Sequence, residues 1–193
     1  MSTVFIDVDT QLDFLFPAGA LYAPGAERLI PALAHLTRYA SHHHIPLIST
    51  VDAHTENDPE FRIWPKHCVA GTTGQHKAEA TLLSHRVVVP NREGALNIEG
   101  APQIIVEKQH VDQFQTHTFA RIIQQLNPDR VVIYGVVTEV CVLYAVRGLL
   151  QLGKPVTVVT DGIRELTESG GRAAIEEMRA CGATFATAGE VAP

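Results

Sequence analysis

Cysteine is scarce in this chain. Its 193 residues hold three, Cys68, Cys141 and Cys181, at irregular spacing. An odd, scattered set excludes a disulfide framework and points to a reducing compartment, the cytoplasm. Basic clusters are missing, and the formal net charge is −6. Nucleic acid and anionic membranes are therefore not expected as partners. No apolar run approaches the roughly 18 residues that span a bilayer. The N-terminus, Met-Ser-Thr-Val-Phe-Ile-Asp, has neither the basic start nor the long apolar segment of a secretory signal. Internal repeats, linkers and low-complexity segments are lacking too. What remains is ordinary globular composition, 46% hydrophobic and 19% charged. The length suits one domain with a full core, residues 1–193.

Apolar, β-branched runs recur along the chain. Thr3 to Val8, Pro46 to Val51, Val87 to Val89, Ile104 to Val106, Val131 to Val137, Val156 to Val159 and Thr184 to Ala186 read as strands. Helical spacing appears between them, over Glu27 to Tyr39, Phe114 to Leu126, Cys141 to about Gly153 and Arg172 to Ala180, with a short helix at Ala78 to Leu83. Thr160-Asp161-Gly162 and the turn-rich stretch from Asn91 to Gly100 read as breaks. Strands alternating with helices predict a three-layer α/β/α fold with a six-stranded, mainly parallel sheet. Ligands in such folds bind beyond the carboxyl ends of the strands. Asp9, Asp52, His54, Lys108 and Cys141 all follow apolar runs, so the pattern gathers them along one edge of the sheet.

Cys141 is the most informative of these. The run Val131-Val-Ile-Tyr-Gly-Val-Val137 reads as a strand buried on both faces. Thr138 then reads as a helix N-cap, which places Cys141 in the first helical turn. The free N–H groups and helix dipole there favour thiolate over thiol, and the same N–H groups can hold an oxyanion. The plainer reading is a small packed core thiol. Asp9 can serve as a general base toward the thiol and return the proton to a leaving group. Lys108 between the two would stabilise both anions. Each of these residues alone reads equally well as a turn or surface residue. Together at strand ends they form a hydrolytic constellation.

Asp52, His54 and His67 form a second group. Side chains alternate along an extended segment, so Asp-x-His puts two ligands on one side. His67, from the following loop, would complete three, with positions left for water or substrate. Glu60 in the intervening loop is a candidate further ligand. His42, His43 and His44 read as a solvated helix end, because consecutive residues do not share a helix face. Cys68 reads as a packed loop thiol.

Several motifs, in order, cover nearly the whole chain: Asp9-x-Gln11-x-Asp13-Phe14, Asp52-x-His54, Trp64-Pro-x-His67-Cys68, Lys108 after a strand, and Gly135-Val-Val-Thr138-x-x-Cys141-Val142. In these the chain resembles the isochorismatase-like cysteine hydrolase superfamily, and within it the nicotinamidases. The resemblance implies a catalytic triad of Asp9, Lys108 and Cys141, and a divalent metal on Asp52, His54 and His67. It also implies a cis peptide before Val137, with an oxyanion hole made by the N–H groups of Val137 and Cys141, and Phe14 and Trp64 flanking a substrate ring. The metal is expected to be zinc, with iron and manganese as alternatives. Two segments depart from the nicotinamidase pattern: Leu15-Phe16-Pro17-Ala18-Gly19, and Lys108-Gln-His110 with Gln115-Thr-His117-Thr-Phe119. The expected activity is a cysteine amidohydrolase converting nicotinamide to nicotinate and ammonia. Alternatives are hydrolysis of another small amide, a carbamoyl compound or isochorismate, and a non-catalytic small-molecule binding protein. The expected partners are a small amide substrate and further copies of the chain in a homo-oligomer, without nucleic acid or membrane.

Overall fold

The structure, a computed structural model, describes residues 2–193; Met1, the first residue of the expected domain, lies outside the described residues. In chain order the elements are β1 (Thr3–Val8), α1 (Leu12–Leu15), α2 (Ile30–His42), β2 (Leu47–Asp52), β3 (Val87–Val89), β4 (Gln103–Lys108), α3 (Phe119–Leu126), β5 (Arg130–Val136), α4 (Leu143–Gln151), β6 (Val156–Arg164), α5 (Glu168–Ala180), β7 (Thr184–Ala186) and α6 (Ala188–Val191). The strands form one sheet in the order β3-β4-β2-β1-β5-β6-β7. Every pairing is parallel. The sheet has seven strands, where the sequence predicted six. Both three-residue strands, β3 and β7, pair at opposite edges of the sheet.

Alternation along each strand decides the two faces. Val4, Ile6 and Val8 of β1 pack with Ile122 of α3, Val146 of α4 and Met178 of α5. Phe5 joins the opposite cluster with Leu33 and Leu36 of α2 and Ala188 of α6. A strand buried on both faces is apolar at most positions, as β5 is; β1 and β2 also bury Asp7, Ser49 and Thr50, whose side chains are hydrogen-bonded. The chain leaves β1, adds β2, β4 and β3 on one side, then crosses to β5 and continues to β7 on the other. The switch point of the sheet therefore lies between β1 and β5, and a crevice opens there beyond their carboxyl ends.

Element ends differ from expectation where tertiary contacts override local signals. β6 continues through Thr160-Asp161-Gly162 to Arg164, and its register against β5 shifts between Ile133 and Gly135. The turn residues make an irregularity in the strand and not its end. α5 begins at Glu168, four residues before the expected Arg172, because the Thr167 side chain accepts from the Gly170 N–H and caps the turn. α3 starts only at Phe119, whose N–H donates to Thr116 Oγ1. Thr138 is not the cap of the Cys141 helix. Val137 occupies that position, and Thr138 Oγ1 is buried with no hydrogen-bond partner among the described residues. The short helices α1 and α6 carry no periodic signal and were not expected. His42, His43 and His44 are exposed at the end of α2, as predicted. Among the described residues no helix is long and apolar enough to cross a membrane.

Candidate active site

Three strands deliver one buried charge cluster. β1 ends at Val8, and Asp9 turns the chain with a left-handed φ of 50°, a conformation Asp tolerates better than most residues. Its N–H donates to the Thr50 carbonyl at 3.1 Å, and Thr50 Oγ1 donates to Asp9 Oδ1 at 2.6 Å. Lys108 is the last residue of β4 and stands in register with Asp52, the last of β2. Its ammonium donates to Asp52 Oδ1 and lies 3.7 Å from Cys141 Sγ. It also lies 2.9 Å from Asp9 Oδ2, an ion pair off the angle of a hydrogen bond. Asp9 and Lys108 are fully buried, and Cys141 is 6% exposed.

Burial dominates the electrostatics of this cluster. It pushes the Cys141 thiol well up, and the Asp9 and Asp52 carboxylates push the same way against the Lys108 ammonium. Burial and the two carboxylates thus work against the thiolate that a helix N-terminus favours. Burial also raises the Asp9 carboxyl, with Lys108 opposing and Asp52 adding. Asp52 moves the other way. Burial would raise it, but Lys108 and the nearby His54 and His67 rings outweigh that and hold it well below the usual carboxylate range. Lys108 is held protonated despite its burial by Asp52, Asp9 and the cysteine.

The backbone around Cys141 is shaped for close approach. A Cβ on Gly135 would sit 2.1 Å from the Val8 carbonyl oxygen, and its φ is +121°, so β1 and β5 meet this closely only with glycine there. The Val136–Val137 peptide is cis, as the resemblance implied. Thr138–Val142 forms a π-helical turn in which the Val137 carbonyl accepts from the N–H groups flanking Cys141, those of Val140 and Val142, both at 3.1 Å. Turns of this kind concentrate at functional sites. Gln113 Nε2 donates to the Cys141 carbonyl at 3.2 Å.

Asp52, His54 and His67 meet on the other side of Lys108. One ligand atom from each lies within 4.8 Å of the others. His54 Nε2 and His67 Nε2 stand 3.9 and 3.7 Å from Asp52 Oδ2. Ligands about 2.1 Å from a tetrahedral metal are separated by about 3.4 Å, so a small inward shift would close the set. His67 Nδ1 lies 2.7 Å from the Pro65 carbonyl, which orients its ring; His54 Nδ1 lies 3.1 Å from Asp58 Oδ2, without the geometry of a hydrogen bond. His54 Nε2 is buried without a hydrogen-bond partner among the described residues. This donor set fits a divalent cation. Glu60 Oε1 lies 3.9 Å from His54 Nε2, and burial raises its carboxyl.

Two residues of the first motif act as scaffold, a role the sequence did not reveal. Gln11 mimics a strand partner for Asp52: its Oε1 accepts the Asp52 N–H at 2.7 Å and its Nε2 donates to the Asp52 carbonyl at 2.8 Å. Asp13 accepts from the N–H of Ala20 at 2.9 Å and of Cys68 at 2.7 Å. That second bond fixes the loop carrying His67, through a Cys68 held at φ 44°. Cys68 is fully buried, a packed thiol as expected.

Both clusters open on one narrow cavity. Phe14, Trp64, Asp52, His67, Val137 and Cys141 all line it, so both the expected ring-flanking residues and the expected oxyanion-hole residues border the same space. Phe14 packs 5.3 Å from the His67 ring. Leu21, Val111, Val140 and Leu166 complete the wall. They come from loops and turns with no periodic signal, and sequence reasoning missed them.

The chain matches the Isochorismatase domain family over residues 3–190. It is 25% identical to the nicotinamidase of Escherichia coli, covering 93% of this chain and 92% of the relative. It is 28% identical to the nicotinamidase/pyrazinamidase of Mycobacterium tuberculosis, covering 90% and 92%. The crystal structure of the pyrazinamidase of Pyrococcus horikoshii in complex with zinc superposes with a TM-score of 0.83 at 26% identity, over 97% of this chain and 99% of that one. The chain belongs to the isochorismatase family, and within it is similar to the nicotinamidases.

Proposed function

We propose that the protein is an amide-hydrolysing enzyme that converts nicotinamide to nicotinate and ammonia through a thioester on Cys141. The observation that carries this is the meeting of a buried Asp9–Lys108–Cys141 cluster with an Asp52–His54–His67 donor set on one small, mostly apolar cavity. The nicotinamidase relatives support the same substrate. With substrate in the cavity, the Cys141 thiol gives its proton to Asp9, and the sulfur bonds to the amide carbon. The N–H groups of Val137 and Cys141 hold the resulting oxyanion. Asp9 passes its proton to the leaving nitrogen, the C–N bond breaks and ammonia departs. Water then attacks the thioester carbon as Asp9 takes its proton, and Asp9 returns that proton to the sulfur as the C–S bond breaks, restoring the thiol and releasing nicotinic acid, which ionises to nicotinate. Lys108 stays protonated throughout and balances the charge on Asp9 and the sulfur.

Asp52, His54 and His67 would hold a divalent cation, zinc first among the candidates, which supplies a Lewis-acid contact for the pyridine nitrogen. Glu60 is placed to join them. Phe14 and Trp64 would sandwich the ring and exclude water. The deciding experiment is ammonia release from nicotinamide by purified protein supplied with zinc, iron or manganese. Turnover with any of them supports the reading. Absence of turnover with all three sinks it, and the substrate search then moves to amides without a ring nitrogen.

A further inference from the structure

Glu139 lies two residues before Cys141 and does none of the chemistry above. Its carboxylate is nonetheless heavily engaged. Oε1 accepts from the N–H groups of Leu166 and Thr167 at 3.1 and 2.9 Å, and lies 3.2 Å from Thr167 Oγ1. Oε2 accepts from the Leu166 N–H at 3.2 Å. These donors belong to the turn between β6 and α5, next to the α5 cap, where a helix dipole favours negative charge. The turn is built to receive it: a Cβ on Gly170 would sit 2.8 Å from Glu139 Oε1 and 2.7 Å from Thr167 Oγ1. The Cys141 turn thus holds the backbone of Leu166 directly. The Leu166 side chain in turn lines the cavity with Val137, Val140 and Cys141.

We propose that Leu166, clamped by Glu139, sets the upper size of the substrate, and that the enzyme is selective for carboxamides on a small, unsubstituted planar ring. This rests on the amidohydrolase reading for its substrate class. Leu166 is the specificity-determining residue, and Glu139 is a positioning residue that acts through it. The reasoning is geometric. The cavity is narrow, and much of its wall sits on elements with fixed jobs. Val137 and Val140 belong to the turn that carries Cys141, and Asp52 and His67 to the donor set. Leu21, Val111 and Leu166 come from other loops, and of these three Leu166 is the one whose backbone a side chain of the Cys141 turn holds. Trimming it enlarges the cavity without altering the Asp9–Lys108–Cys141 geometry.

Two measurements test this. The first needs no substrate: alkylation of Cys141 by iodoacetamide and by the bulkier N-phenyl iodoacetamide, followed by peptide mass spectrometry at pH 9, with exposed Cys181 as the internal reference. Leu166→Ala should raise the bulky-to-small rate ratio at Cys141 by about tenfold, the scale of a few methylenes in an apolar pocket. Leu166→Phe should lower it. Glu139→Ala should raise it, and Glu139→Gln, which keeps an accepting oxygen, should restore most of the wild-type ratio. The Leu166→Ala/Glu139→Ala pair should show no more than Leu166→Ala alone. The second measurement is kcat/KM for nicotinamide and for 5-methylnicotinamide. Leu166→Ala should shift that preference toward the methylated amide by about tenfold. Ratios that do not move with Leu166→Ala and Leu166→Phe overturn the assignment of Leu166. Additive effects in the double variant overturn the clamp. If wild type turns over neither amide, the nicotinamidase reading falls, while the alkylation ratios still decide the role of Leu166.

Discussion

Lys108→Met is the sharpest perturbation this site offers. The lysine is fully buried between two buried carboxylates. At 2.9 Å from Asp9, its gross attraction to that group is about 6 kcal/mol at an effective dielectric of about 20. Desolvation of each ion offsets several kcal/mol of this, and removing one partner of such a pair costs about 3–5 kcal/mol, because the remaining charges are stranded. Methionine matches the stem but not the charge, so Asp9 and Asp52 must protonate or repel each other. Their folded pKa values then both lie above the unfolded value of about 4. Between those limits the folded state binds more protons than the unfolded state, so stability falls as pH rises. The expected result is a lost activity and a stability deficit that is smallest near pH 4.5 and grows to about 3–5 kcal/mol by pH 8. Urea denaturation of both proteins in EDTA at pH 4.5, 6 and 8 measures it. A deficit under about 1 kcal/mol at pH 8, or one that grows as pH falls, would refute the charge accounting.

Three further outcomes follow from the same geometry. Cys141→Ala should abolish ammonia release while Cys181→Ser, at an exposed site, keeps most of it; a near-normal rate from the first variant would exclude a thioester. His54→Ala should remove the bound divalent metal by elemental analysis and raise the nicotinamide KM, with Cys141 still open to iodoacetamide; retained metal would remove His54 from the donor set. Gln11→Ala should weaken the metal about 10–100-fold in chelator competition, as loss of an orienting partner does, because Asp52 loses both bonds that fix its backbone; unchanged affinity would show that β2 holds Asp52 without help.

The layers of the fold were legible because burial on both faces leaves little freedom of composition. β1, β3 and β7 begin and end where their apolar runs do. The number of strands in the sheet was not, since whether a three-residue run pairs depends on its neighbour: Val87–Val89 needs β4 and Thr184–Ala186 needs β6. Thr160-Asp161-Gly162 carried a real turn signal, but parallel pairing on both sides of it, to Ile133 and to Gly135, kept the strand going. The start of α5 was not legible either: it begins at Glu168, ahead of Gly170 and Gly171, because Thr167 caps the turn and Glu139 of another element accepts the Thr167 N–H.

The candidate site shows the same division within five residues. Asp9, Gln11 and Asp13 are spaced by two, the period of a strand, yet the chain stops being a strand at Asp9. A left-handed residue followed by a four-residue helix aims the three side chains at different targets: Lys108, the Asp52 backbone, and the Cys68 N–H. Position at a strand end marked Asp9 as reactive, because polar residues gathered there need partners. Nothing local distinguishes Gln11 and Asp13 from ordinary loop residues, since their partners lie 41 and 55 positions away. The surroundings of Cys141 were hidden for the same reason. A helix N-terminus favours thiolate, but burial beside two carboxylates pushes the thiol up, and burial is a property of the assembled sheet. Thus the candidate residues were visible by type and place, whereas those that aim them are set by contacts that exist only after β1, β2, β4 and β5 have met.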